Sequence, residues 1–139
     1  MRKSGRIEFQ PIPVNQYQKT VEQELSRYTP QDLVRIQRDM AIIRTFETML
    51  NEIKLRGSWL GIEYVHAGPA HLSIGQEAAA VGQAYHLGID DHIYGSHRSH
   101  GEILAKGLSA IHKLDEQTLM NIMKNYFGGQ LGTEGRVRM

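Results

Sequence analysis

Cysteine is absent from this 139-residue sequence, which excludes a disulfide framework and any thiolate metal site. Long apolar runs are also absent, and without about 18 consecutive apolar residues no transmembrane helix is expected. The first ten residues carry three basic side chains but no apolar stretch behind them, so we expect no secretory signal. A cytoplasmic location is the simplest interpretation of these absences.

A strong charge of one sign is missing too. Sixteen basic and fifteen acidic residues give a net charge of +1, which is too balanced to indicate a nucleic-acid or anionic-membrane partner. The sequence has no Walker phosphate loop, no complete Gly-x-Gly-x-x-Gly fingerprint and no Gly-x-Ser-x-Gly elbow. With 40% hydrophobic and 22% charged residues, the composition is that of an ordinary globular domain.

Helices dominate the predicted organisation. Residues 1–28 are polar, show no sustained period and are predicted to form an irregular leader. Thr29 and Pro30 are typical of a helix start, and apolar residues then recur at steps of three and four. This pattern predicts one amphipathic helix over about 30–56, which Gly57 ends.

Two capping-box patterns, each a serine followed three residues later by Gln or Glu, predict two further helix starts. Ser73 opens a helix that Gly88 ends, and Ser99 opens a helix of about 100–106 that Gly107 ends. The remaining predicted elements are a loop with aromatic anchors at 57–70, a short strand at 91–95, a helix at about 115–127 and a flexible tail at 129–139.

Functional side chains are concentrated at these two helix starts. His71 precedes the first, and His97, Arg98 and His100 surround the second. Free N–H groups at a helix N-terminus bind anions, and a guanidinium donates two hydrogen bonds to phosphate oxygens. The second start therefore predicts an anion or phosphate site, while the histidines can donate hydrogen bonds or move protons near neutral pH.

Simpler interpretations of these residues stay open. A lone histidine is more often a capping or surface residue than a catalyst, and Arg98 can pair with Glu102 across one helical turn. The capping boxes explain their serine and glutamate without any ligand. A metal held by His97 and His100 matches no known ligand spacing or carboxylate pattern, so no metal site is predicted.

The two motif segments resemble those of the alpha subunits of thiamine-diphosphate-dependent 2-oxo acid dehydrogenases, the first components of the pyruvate, branched-chain 2-oxo acid and acetoin complexes. The long helix, with Arg44, Phe46 and Glu47, is also similar to the opening helix of that family. The residues from Tyr64 to Pro69 resemble a subgroup in which alpha and beta parts are fused. The motifs are His-Leu-Ser-Ile-Gly-Gln-Glu-Ala at 71–78, Asp-His at 91–92, His-Arg-Ser-His-Gly at 97–101 and Ala-Lys-Gly at 105–107.

The resemblance implies a fold, a cofactor and a reaction. Residues 29–128 would be the N-terminal part of an α/β thiamine-diphosphate-binding domain, a part that is mostly helical with one or two short strands. Thiamine diphosphate would supply the electron sink for loss of carbon dioxide from a 2-oxo acid, and the acyl fragment would pass to a lipoyl-bearing acyltransferase. His97 and Arg98 would bind the cofactor's diphosphate, and His71 and His100 would be catalytic.

One departure from the family pattern limits this expectation. The family holds magnesium and diphosphate with a Gly-Asp-Gly motif and a later Asn, but the sequence contains no Gly-Asp-Gly. The magnesium ligands and most of the parallel sheet would then lie beyond Met139, with a beta subunit or a missing C-terminal portion as partner. The chain is expected to be a fragment that is inactive alone and exposes an apolar face. Two alternatives remain: a non-enzymatic helical module that assembles with or regulates a partner subunit, and a generic anion or nucleotide binder at Ser99.

Overall fold

A computed structural model describes residues 5–65 and 68–125, which form a group of helices with one small hairpin. The prediction of a mostly helical segment is confirmed for these residues. No helix in the described ranges is long and apolar enough to cross a membrane. The elements in chain order are α1 (Val21–Leu25), α2 (Pro30–Arg56), β1 (Ser58–Trp59), β2 (Ile62–Glu63), α3 (Glu77–Tyr85), α4 (His100–Lys113) and α5 (Glu116–Asn125).

The long helix α2 begins and ends where the sequence predicts. The Thr29 hydroxyl accepts a hydrogen bond from the Asp32 N–H at 3.1 Å, and the Asp32 carboxylate accepts one from the Thr29 N–H at 3.0 Å. This reciprocal capping box satisfies donors that a helix start leaves unpaired. Gly57 follows the helix with φ +70°, a left-handed conformation that glycine adopts at little cost.

A small core lies where α2, α3 and α4 pack together. Its buried apolar side chains are Ile43, Ala80, Val81, Ala84 and Ala105. The alanines of α3 allow the helices to approach closely. Gly101 of α4 lies at this junction, because a Cβ atom there would lie 3.6 Å from the Ala80 Cβ and 3.7 Å from the Ile43 Cγ2.

Both predicted capping boxes at the motif segments are wrong. α3 begins at Glu77 rather than Ser73, and no side chain caps it. The Ser73 N–H and hydroxyl are instead hydrogen-bonded to Glu47 and to the Arg98 carbonyl. α4 does begin after Ser99, but the Ser99 hydroxyl donates to the Ser96 carbonyl and leaves the helix without a side-chain cap.

The predicted end of α4 at Gly107 is also wrong, because the helix continues to Lys113. A glycine in a helix interior costs only about 1 kcal/mol, which packing can offset. Here Lys106 donates to the Gly88 carbonyl at 2.8 Å and Lys113 donates to the Tyr85 carbonyl at 2.9 Å. The two lysines lie on either side of Gly107, and their hydrogen bonds hold α4 against the end of α3 and the residues that follow it.

The short strands lie elsewhere than predicted. Residues 91–95 form no strand, whereas the predicted loop contains the antiparallel pair β1 and β2. Leu60 and Gly61 turn between them with φ +48° and +80°, and two positive φ values in a two-residue turn suit the twist of a hairpin. Helix α1 lies within the segment predicted to be irregular. The predicted tail and the end of the last helix lie outside the described residues.

Candidate functional site

A fully buried carboxylate on α2 is the centre of the candidate site. Glu47 has 0% exposure. Its Oε2 accepts a hydrogen bond from the Ser73 N–H at 2.9 Å, and its Oε1 lies 3.1 Å from the Nδ1 of His100. The Phe46 ring packs edge-on against the His100 ring, with centroids 6.2 Å apart. Glu47 therefore joins the segment before α3 to the first residue of α4.

The two motif segments also contact each other directly. The Ser73 hydroxyl donates a hydrogen bond to the Arg98 carbonyl. The rings of His71 and His97 meet edge to face, with centroids 4.8 Å apart. All four residues that the sequence singles out, His71, His97, Arg98 and His100, therefore lie in one cluster that rests on α2.

The accessible side of this cluster presents cationic and hydrogen-bonding groups. His71, His97 and Arg98 are exposed, and the His100 side chain is 32% exposed. Within the described part of the chain, the Arg98 guanidinium forms no ion pair, so the alternative of an Arg98–Glu102 pair is wrong. One carboxylate oxygen of Glu102 is buried without a hydrogen-bond partner. The arginine is thus available to an anion.

A second ion pair fixes the loop that leads into α3. Arg44 Nε and Nη2 donate to the two oxygens of Glu77 at 2.6 and 2.9 Å, and the Gly75 N–H donates to the same carboxylate at 3.0 Å. Pairing with Arg44 is the main cause that lowers the pKa of Glu77 to about 2, and the Gly75 N–H adds to it. Gly75 has φ +94°, a conformation that side chains disfavour.

Buried acids on α2 are the feature that periodicity alone misses. Asp39, Ile43 and Glu47 are the buried residues of this helix, spaced by four, so two carboxylates share the inward face with one apolar residue. Asp39 lies 3.3 Å from the Nε2 of His112. An acid at a core position of a helical stripe is the signal that could have found them. No group of three or more His, Cys, Asp or Glu among the described residues could hold a metal ion.

Comparison of the sequence with known proteins identifies its family. The model of the dehydrogenase E1 component family matches residues 43–136, which is more than half of the chain. The chain belongs to the dehydrogenase E1 component family. Members of this family depend on thiamine diphosphate, and the match includes both motif segments and Glu47.

Three curated relatives are all alpha subunits. The chain is 37% identical over 84 residues to that of acetoin:2,6-dichlorophenolindophenol oxidoreductase from Cupriavidus necator, covering 60% of this chain and 23% of the relative. It is 34% identical over 86 residues to the alpha subunit of the pyruvate dehydrogenase E1 component from Rhizobium meliloti. This match covers 62% of this chain and 23% of the relative. It is 35% identical over 89 residues to the alpha subunit of acetoin:2,6-dichlorophenolindophenol oxidoreductase from Bacillus subtilis. This match covers 64% of this chain and 25% of the relative.

The chain therefore spans about a quarter of the length of the curated relatives that it matches. No solved structure matches it significantly. The family match over residues 43–136 includes His71, His97, Arg98 and His100.

Proposed function

We propose that this chain supplies the alpha-subunit side of a thiamine-diphosphate site in an enzyme that oxidatively decarboxylates a 2-oxo acid. The observation that carries the proposal is the contact between the segments of His71–Ser73 and His97–His100. The two segments that carry the family's motifs are 25 residues apart in sequence, yet the fold brings them together around Glu47. The curated relatives, all alpha subunits, support this role.

The donors at the start of α4 fit a diphosphate. The Arg98 guanidinium is exposed, and no side chain caps the first N–H groups of α4, because the Ser99 hydroxyl is bonded to the Ser96 carbonyl. Unpaired N–H groups and a guanidinium are the donors that phosphate oxygens prefer. Arg98 and His97 would therefore hold the diphosphate. Magnesium would need ligands from outside this sequence, which lacks the Gly-Asp-Gly motif of the family.

The remaining two histidines would face the substrate. Thiamine diphosphate supplies, when bound, the electron sink for loss of carbon dioxide. His71 and His100 would orient the 2-oxo acid by hydrogen bonding and hold or transfer a proton, a role that imidazole can fill near neutral pH. An α/β sheet and a beta subunit would complete the site, and a lipoyl-bearing acyltransferase would accept the acyl group.

Calorimetric titration tests the cofactor site. Thiamine diphosphate with Mg²⁺ is titrated into the chain assembled with the remaining portion of an alpha subunit and a beta subunit of the family. Arg98→Ala should weaken binding by about tenfold or more, because it removes a charge-assisted hydrogen bond. Arg56→Ala is the matched control, since Arg56 is exposed at the far end of α2 and pairs with Glu52. Equal binding by wild type and Arg98→Ala would contradict the proposal.

Turnover by the same assembly tests the reaction. Carbon dioxide release is measured with pyruvate and with a branched-chain 2-oxo acid, using 2,6-dichlorophenolindophenol as electron acceptor. We expect carbon dioxide release from one of the two 2-oxo acids. Arg98→Ala should abolish this release, and Arg56→Ala should retain it. Tight cofactor binding without release from any 2-oxo acid would overturn the reaction and leave only a binding role.

A further inference from the structure

We propose that Glu47 is a positioning residue that fixes the tautomer of His100, so that His100 presents the Nε2 lone pair as a proton acceptor. This inference rests on the proposed function, because it describes how one of the proposed catalytic histidines is prepared. It assigns a role to a residue of α2 that itself is fully buried and does not face the accessible side of the site.

The contact between Glu47 and His100 determines where the ring proton lies. The Nδ1 of His100 is 3.1 Å from the Glu47 Oε1. A carboxylate oxygen accepts hydrogen bonds, so we place the ring proton on Nδ1, which donates it to Glu47. In a neutral ring the other nitrogen, Nε2, then keeps its lone pair, which is the state that a general base requires.

The carboxylate is itself held in place. Its Oε2 accepts the Ser73 N–H at 2.9 Å, and Ser73 is tied through its hydroxyl to the Arg98 carbonyl. Phe46 packs edge-on against the imidazole ring. Since both oxygens of the buried carboxylate are engaged and the ring is packed, Glu47 imposes one orientation on His100 rather than following it.

A second acid–histidine pair between the same two helices, Asp39 and His112, does not determine which ring nitrogen carries the proton. The His112 Nε2 lies 3.3 Å from the Asp39 Oδ1 but also 2.7 Å from the Nη2 of Arg38. One nitrogen cannot donate to a carboxylate and accept from a guanidinium at once. Asp39 therefore does not fix the His112 tautomer, and this pair provides a control within the same molecule.

Glu47→Gln should move the proton from one nitrogen of His100 to the other. The glutamine side chain keeps the shape of Glu47 but offers one oxygen and one NH₂ group to two donors. The Ser73 N–H is a backbone donor that cannot lose its proton, so it retains the oxygen. The NH₂ group then faces Nδ1, which can accept it only after the proton has moved to Nε2.

Long-range ¹H–¹⁵N correlation spectra of the full chain, labelled at histidine, measure the tautomer. His100 is assigned from the signal that disappears in His100→Gln. We expect the Nδ1–H tautomer in wild type at pH values where the ring is neutral, and the Nε2–H tautomer in Glu47→Gln. Asp39→Asn, the matched control, should alter the His112 signals and leave the His100 tautomer unchanged.

An Nε2–H tautomer in wild type, or an unchanged Nδ1–H tautomer in Glu47→Gln, would overturn the inference. If Glu47→Gln does not fold, the wild-type spectrum still decides between the two tautomers. In the assembled enzyme, Glu47→Gln should lower kcat by about 100-fold, in the range expected for loss of a general base, and leave the affinity for thiamine diphosphate within about threefold. If the spectra show the expected tautomers but the assembled enzyme does not bind thiamine diphosphate, the proposed function is overturned and the role of Glu47 in fixing the tautomer stands.

Discussion

At the scale of single residues, the buried acids explain how this small protein holds its loops. Asp39, Glu47 and Glu77 are buried, whereas most of the buried apolar residues in the described part of the chain are alanines. A buried carboxylate is costly unless it is hydrogen-bonded. Each of the three meets a basic group or a backbone N–H from another segment of the chain. These acids therefore determine which loop lies against which helix, a task for which small apolar side chains are poorly suited.

The Glu77–Arg44 pair should make stability depend on acidity. The folded-state pKa of Glu77 is lowered to about 2 from an ordinary value of 4.5, chiefly by Arg44. Its contribution is therefore complete above about pH 4.5 and is lost as the pH falls toward 2. Arg44 is half exposed, so the expected loss is about 1–2 kcal/mol, between the values for surface and buried pairs.

Urea unfolding between about pH 6 and pH 3 measures this contribution. Arg44→Met keeps much of the side-chain length and removes the charge, so its stability should fall less steeply over this range than that of wild type. Parallel curves for the two proteins would show that the pair does not act through Glu77. Arg56→Met, which removes an exposed arginine from the same helix, should retain the wild-type slope.

At the scale of elements, local signals determine the bounds of a helix only where no tertiary contact competes with them. α2 has a reciprocal capping box, a proline at its start and a left-handed glycine at its end, and all three signals act within four residues. Its bounds are therefore predictable. Ser73 has the same local pattern but no helix begins there, because Glu47 on α2 takes the Ser73 N–H. A tertiary bond to a buried carboxylate outweighs a local cap that is worth about 1 kcal/mol.

The two glycines of α4 should respond oppositely to enlargement. Gly101→Leu inserts a side chain into the junction of Ile43 and Ala80, where a Cβ alone already reaches van der Waals contact. Overpacking of this kind costs about 1–3 kcal/mol or more. Gly107→Leu should be neutral or stabilise by up to about 1 kcal/mol, because nothing lies within 4 Å of its Cβ position and leucine favours a helix.

Thermal unfolding of the two variants checks this contrast. Because both variants carry the same substitution in the same helix, the change in helix propensity is the same for both. The difference in stability between Gly101→Leu and Gly107→Leu therefore reports packing at the helix junction. A similar loss of stability in both variants would show that the junction is not tightly packed. Gly101→Ala is an intermediate test, since its single methyl group should fit with little change.

At the scale of the whole molecule, apolar surface remains uncovered. α5 has no buried residue, and Met120, Ile122 and Met123 on it are at least 36% exposed. α4 also leaves Ile103 62% exposed. We expect this apolar surface to favour contact with another chain or segment, which agrees with a chain that spans about a quarter of its relatives' length.

The isolated chain should therefore self-associate in a concentration-dependent way. Ile122→Lys removes apolar surface from α5 and should shift the mass measured by light scattering toward the monomer. Asn121→Lys is the control, because it adds the same charge on the adjacent residue and removes no apolar group. A monomeric wild type at all concentrations, or an equal effect of both substitutions, would contradict a role of α5 in association.

The sequence by itself determined the extent of α2, the helical character of the chain and the four residues His71, His97, Arg98 and His100, because caps, periodicity and motifs are local in the chain. Tertiary structure alone decided that these residues meet. Glu47 lies 26 residues from Ser73 and 53 from His100, and no local pattern encodes such a contact. It forms because a buried carboxylate must find donors, and only the packing of α2 against α3 and α4 places those donors within hydrogen-bonding distance.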